Sequence, residues 1–166
     1  MNDTRAVGVL EALEDQLRCS MEGPAWHGPS VRDALEGIDV GAAAQHPVFG
    51  AHSCWELVLH LCGSYRLVLR RLEDNAAPFL PHEDWPPLPA RTEENWNRDV
   101  ASLYDLNVRV RAAVQRFPVG RLFEPLIADP PYSAFTQFVG LTQHDLYHAG
   151  QIVLLTRALR HDDRAS

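Results

Sequence analysis

Apolar residues recur at three- and four-residue spacing over four long stretches, with prolines and glycines between them. In the first stretch Leu10, Leu13 and Leu17 form the stripe of a helix from about Thr4 to Met21, and Asp3 or Thr4 stands where a cap belongs. EGPAWHGPS, residues 22–30, breaks that helix. Ser30 followed by Asp33 has the form of a capping box and predicts a short helix through Glu36. Residues 37–52 read as an irregular connector with room for one helical turn. A second long helix is predicted from the N-cap Ser53 to about Glu73. Its first half, with Trp55, Leu57, Val58, Leu59 and Leu61, is apolar almost all round and hence buried, and its later half turns basic on one side.

Residues 74–91 carry Pro78, Pro81, Pro86, Pro87 and Pro89 and read as a loop, long for a compact domain. Thr92 opens a third helix to about Arg116, striped by Trp96, Val100, Leu103, Leu106 and Val110. After a second proline-rich connection, residues 117–132, Ser133 starts a fourth helix that ends near Arg160. No strand period persists and no repeat is visible. The pattern therefore predicts an all-α four-helix bundle with longish connections, ahead of a solenoid of helix pairs.

Composition narrows the class. A chain of 166 residues, 46% hydrophobic and 22% charged, fits one soluble domain over residues 1–166. No run of about 18 apolar residues exists, so no membrane span is expected. The opening segment MNDTRAVGVLEALEDQLR is amphipathic with early acids and lacks the form of a signal peptide. Cys19, Cys54 and Cys62 are odd in number, without CxxC spacing, and read as free thiols. Both points lead to an expectation of a cytoplasmic location. All 15 basic residues are arginine, which excludes Schiff-base catalysis, a lysine-bound pyridoxal cofactor and a lysine-containing phosphate loop. A net charge of −7 with scattered arginines argues against nucleic acid as a partner.

The chemistry concentrates in QHDLYHAGQI, residues 143–152. On a wheel of about 100° per residue with His144 at zero, His148 falls at about 40°, Leu141 at about 60° and Leu155 at about 20°. Both histidines then lie on the apolar stripe, one turn apart and within reach of one ion. Such pairs are more often structural than metal-bound. A buried imidazole pair needs partners, however, and a divalent ion with a third ligand would satisfy both. HSCWELVLHL, residues 52–61, offers His60 in the apolar half of the second helix. One histidine facing two gives a three-nitrogen set with a position left open, the form of a catalytic rather than a structural site.

These two stretches resemble the signatures of the DinB-like superfamily. HDLYHAGQI is similar to its last-helix pattern H-x-x-x-H-x-G-Q, and HSCWELVLHL to its second-helix pattern. The resemblance covers essentially the whole chain. It implies an antiparallel four-helix bundle with longer crossover connections, commonly a homodimer, and one divalent ion on His60, His144 and His148. Zinc or nickel stands first among the metals that imidazoles accept. It also implies a small-molecule substrate. Some relatives are thiol S-transferases or isomerases using a low-molecular-weight thiol such as bacillithiol or mycothiol; others are proposed hydrolases. The leading expectation is a thiol S-transferase, the alternatives a metal-dependent hydrolase and a non-catalytic metal- or ligand-binding stress protein.

Other residues carry two readings each. Glu56 is a catalytic base or orienter of His60, or equally an acid favoured at a helix N-terminus. Gln151 hydrogen-bonds a ligand or substrate, or caps a buried polar group. Asp145, at about 100° and so on the edge of the stripe, is an outer acceptor or a solvated acid. His52 lines the mouth of the site or is a surface residue. His27, His46, His82 and His161 read as surface residues. HDLYH is not a zincin HExxH, because its second position is Asp. Trp85, Arg91, Phe123 and Tyr132 are the loop residues available to position a substrate.

Overall fold

The four predicted stripes all become helices. The computed structural model describes residues 3–26, 28–73 and 78–162, with side chains described between 8 and 160 within those ranges. The helices are α1 (Asp3–Glu22), α2 (Val31–Leu35), α3 (Val40–Ala43), α4 (Cys54–Leu72), α5 (Pro81–Asp84), α6 (Glu93–Arg116) and α7 (Ala134–Asp162). Among the described residues there is no strand, only an isolated bridge between Pro125 and Ser133. No described helix is long and apolar enough to cross a membrane.

Local chemistry explains the boundaries. Ser30 and Asp33 form the predicted capping box of α2, and Ser53 and Glu56 form another at the start of α4. Thr92 caps α6 through the Asn95 amide, and Ser133 accepts from the Thr136 amide as α7 begins. Residues 37–52 contain their single turn, α3, capped by Asp39. The capping of α1 by Asp3 or Thr4, and the side chains of His27 and His161, lie outside the described residues. The loop of residues 74–91 is less irregular than its prolines predicted: Pro81 takes the first helical position of the short α5, where its missing N–H costs nothing.

The long helices close a ring of contacts in which α1 and α4 each pack against both α6 and α7. Leu17, Met21, Trp55, Leu61, Leu103, Val110, Phe138 and Ile152 fill its interior. Trp55 donates its indole N–H to Asp99 on α6, 2.9 Å away, so its polar handle is satisfied within the core. Arg111 on α6 reaches Glu14 and Glu22 on α1. The helix α7 is covered on more than one side, by α1, α2 and α4.

Candidate metal centre

The three histidines meet where α4 faces α7. His60 Nε2 lies 2.9 Å from His144 Nε2, and His148 Nε2 lies 2.8 Å from that same atom. The ligand atoms of all three fall within 4.8 Å of one another. His60 and His148 are buried, and His144 is half-buried at the cleft side.

The outer nitrogens decide which atoms point inward. His60 Nδ1 donates to the Asp84 carbonyl at 3.0 Å, and Asp84 Oδ1 lies 2.8 Å from the same nitrogen as a close ionic contact. His148 Nδ1 donates to Gln151 Oε1 at 2.6 Å. Both rings are thereby held with the proton on Nδ1 and a lone pair on Nε2. His144 Nε2 faces both lone pairs and has at most one proton to offer. At least one inward lone pair is left without a donor, which is costly inside a protein. A cation at the point of convergence removes that conflict. Burial pushes the His144 ring down to about 3, with His148 and His60 adding to the effect. Burial likewise takes His148 down to about 4, against a smaller opposing effect of Gln151. Neutral rings with converging lone pairs are the donor set a divalent ion requires, so the three histidines could hold one.

A ring stack walls one side. His52 lies on Trp85 with centroids 3.6 Å apart, and Trp85 lies on His60 at 4.1 Å, both nearly parallel. Trp85 and Asp84 reach His60 because α5 docks tightly on α4 at Gly63. A Cβ there would stand 2.3 Å from the Glu83 carbonyl oxygen, so this close approach admits only glycine. A cleft of about 580 Å³ opens on the histidines, with Leu57, Trp85, Tyr147, Leu154 and Leu155 among its walls.

The structure sorts the other sequence candidates. Gln151 holds His148, and His52 lines the cleft mouth. Glu56 is not brought to the imidazoles: its carboxylate accepts from the Ser53 amide and from His46 Nε2, each at 2.7 Å. Burial would raise Glu56, but these bonds carry it below the usual carboxylate range. Asp145 is neither solvated nor beside the imidazoles. It is fully buried and accepts from Ser20 Oγ and Tyr65 Oη, each at 2.7 Å. The buried stripe of α7 runs through Phe138, Leu141, Asp145, His148, Ile152 and Leu155. Its centre is near about 70° on the wheel, so Asp145 at about 100° sits well within it and His144 on the rim. Cys54 and Cys62 are buried and free, each thiol pushed up to about 11 by burial, which makes both poor nucleophiles.

Asp84 escaped the sequence reading, and Trp85 appeared there only as one of four unplaced loop residues. The available signal was an acid next to an aromatic, HEDWP, inside a proline-rich loop, too common a pattern to single out. Of the other three, Tyr132 lines a second cleft beside the histidines, while Phe123 is exposed against Phe135 and Arg91 is exposed.

A family model described as the DinB superfamily matches residues 25–152, a span that contains all three histidines. No curated protein and no solved structure matches the chain.

Proposed function

The chain belongs to the DinB superfamily, and from that membership and its three converging imidazoles we propose a metal-dependent enzyme that joins a low-molecular-weight thiol to a small electrophile. One divalent ion is held by His60, His144 and His148. The observation that carries this reading is the inward convergence of three Nε2 atoms, two of them fixed by Asp84 and Gln151, beside an apolar cleft.

When bound, the ion supplies the Lewis acidity that keeps a thiol ionised at neutral pH. The rest is the work of the chain. The Asp84 carbonyl and Gln151 hold two rings in the required tautomer. Trp85 and the leucines keep water from the reacting end, and Tyr147 at the rim offers a face for an apolar electrophile. The thiol loses its proton, a carbon–sulfur bond forms, and the electrophile's leaving group takes that proton. A hydrolase would want a carboxylate to activate water. Of the two candidate carboxylates, Glu56 is engaged with Ser53 and His46 and Asp84 lies against the outer nitrogen of His60, away from the point where the three Nε2 atoms converge, which favours thiol transfer.

In the cobalt-substituted protein a small thiol should add a sulfur-to-metal charge-transfer band, and an alcohol of the same shape should not. Conjugation of bacillithiol or mycothiol to an electrophile should require all three histidines. Thiols that leave the spectrum unchanged while cobalt stays bound would overturn thiol transfer in favour of hydrolysis or sequestration. We also propose a homodimer, since Val48, Tyr147 and Leu154 are exposed apolar residues lining the cleft. Light scattering giving only the monomer mass at micromolar concentration would overturn that.

A further inference from the structure

A second cleft, of about 510 Å³, shares His60 and His144 with the first but runs the other way, along the groove between α4 and α7. At its far end stand Arg71, Gln137 and Tyr132. Arg71 follows His60 by eleven residues and Gln137 precedes His144 by seven, each within about 20° of its histidine on the wheel. Arg71 Nη1 donates to Gln137 Oε1 at 3.2 Å, so the two helices are antiparallel and carry the groove between two cross-links.

Arg71 is unusually placed. It is half-buried, and its one described hydrogen bond goes to a neutral amide. Its neighbour Arg70 is held by both oxygens of Glu83. Burial and the Arg70 charge both act against the Arg71 guanidinium, and no described carboxylate offsets them. Arg71 Nε and Gln137 Nε2 are two buried donors without acceptors at the same wall. In a chain with a net charge of −7, a guanidinium left unpaired at the end of a cleft is a position an anion would complete.

We infer that Arg71 and Gln137 form a carboxylate-binding subsite for one end of an elongated small molecule whose other end lies at His60 and His144. A guanidinium fork with an adjoining amide matches the planar pair of carboxylate oxygens. The axial offsets are roughly 16 Å on α4 and 10 Å on α7, and side-chain reach shortens them to a span of about 10 Å. The anion-accepting cleft and the first cleft meet at the histidines, so two reactants can enter from different sides. The identity of the reacting end rests on the proposed function; the carboxylate subsite does not.

The probes are ω-mercapto-octanoate and ω-mercapto-octanol with the cobalt-substituted protein, and octanoate and octanol with the metal-free protein. The acid should bind at least tenfold more tightly than the alcohol in both pairs. Arg71→Gln should remove that preference while leaving alcohol binding unchanged. Arg71→Lys, which keeps the charge, should retain a reduced preference and serves if Arg71→Gln fails to fold. Equal binding of acid and alcohol to wild type, or a preference that survives Arg71→Gln, would overturn the subsite. Failure to bind cobalt would overturn the metal reading alone, because octanoate against octanol on metal-free protein still decides the subsite.

Discussion

His144 and Asp145 are neighbours in the chain, and α7 turns them into opposite kinds of polar site. His144 stands at the rim of the buried stripe, where α7 meets α4 beside a cleft, and its Nε2 faces two lone pairs. Asp145 stands well within the stripe. Ser20 from α1 and Tyr65 from α4 both donate to it, and Asn107 from α6 donates to Tyr65 Oη and to the Leu17 carbonyl. That second cluster draws one side chain from each of the four long helices. It ties the ring together, and none of its side chains lines either cleft at the histidines. One region gathers acceptors without enough protons and so invites a cation. The other gathers donors around an acid and so holds the helices. A difference of about 100° on one helix separates a site from a strut.

The sharpest way to break that contrast is metal content. Wild type should carry one divalent ion per chain, and His60→Ala, His144→Ala and His148→Ala should each lose nearly all of it. The three losses should not add, because each removes one site. Asp145→Asn and Tyr65→Phe should keep the ion. Elemental analysis decides, and an Asp145→Asn protein as empty as His144→Ala would mean that the two clusters act as one.

The strut should register in stability instead. Tyr65→Phe leaves Asp145 with Ser20 alone and deprives Asn107 of an acceptor, at a cost of about 1–3 kcal/mol. Urea unfolding of metal-free protein should show this loss for Tyr65→Phe and a smaller one for His144→Ala. The reverse order would place the structural burden on the imidazoles.

A middle tier tests what holds the site. Asp84→Ala removes the carboxylate that lies against His60 Nδ1, and the backbone carbonyl that accepts from it remains. Metal affinity should fall about tenfold. Gly63→Ala pushes the whole α5 turn off α4, displacing Asp84 and Trp85 together, and should fall toward 100-fold. Competitive chelator titration measures both. An unchanged affinity in Gly63→Ala would show that the docking of α5 does not govern the site.

These tiers also mark how far the sequence could be read. The long helices were legible because their stripes, caps and prolines agree, and Ser53 with Glu56 does at α4 what the pattern requires. The histidine set was legible because imidazoles inside apolar stripes conflict with burial unless something joins them. Asp84 and Trp85 were hidden because their place depends on docking across Gly63, a tertiary contact with no periodicity. Asp145 was misplaced because a wheel centred on His144 assumed that α7 has one wet side close by. With α1, α2 and α4 all against it, the dry stripe is displaced and the acid lies well within it. Glu56 had two readings, and its place in the capping box with His46 alongside is the one the geometry displays.

The smallest effect is a slope, and the contrast fixes its sign. Burial raises the Asp145 carboxyl to about 7, against the opposing bonds from Tyr65 and Ser20. Unfolded, the same group titrates near roughly 4. Between those values the folded chain binds a proton that the unfolded chain does not, so this contribution to stability falls as pH rises. The rings behave oppositely. His144 and His148 titrate at about 3 and about 4 in the fold, and near roughly 6.5 when unfolded. Between about pH 4.5 and 6 the unfolded chain binds two protons that the folded rings refuse, so their contribution rises with pH. Two protons against one leave these three groups with a net positive contribution to the slope of metal-free wild type, at most about 1.4 kcal/mol per pH unit and less where His144 meets solvent. Asp145→Asn should enlarge that contribution up to twofold. His144→Ala combined with His148→Ala should reverse its sign. The remaining carboxylates contribute alike to all three proteins, so urea midpoints between about pH 4.5 and 6 in the presence of a chelator isolate the difference. Three parallel lines would show that neither cluster holds its protons as its burial dictates.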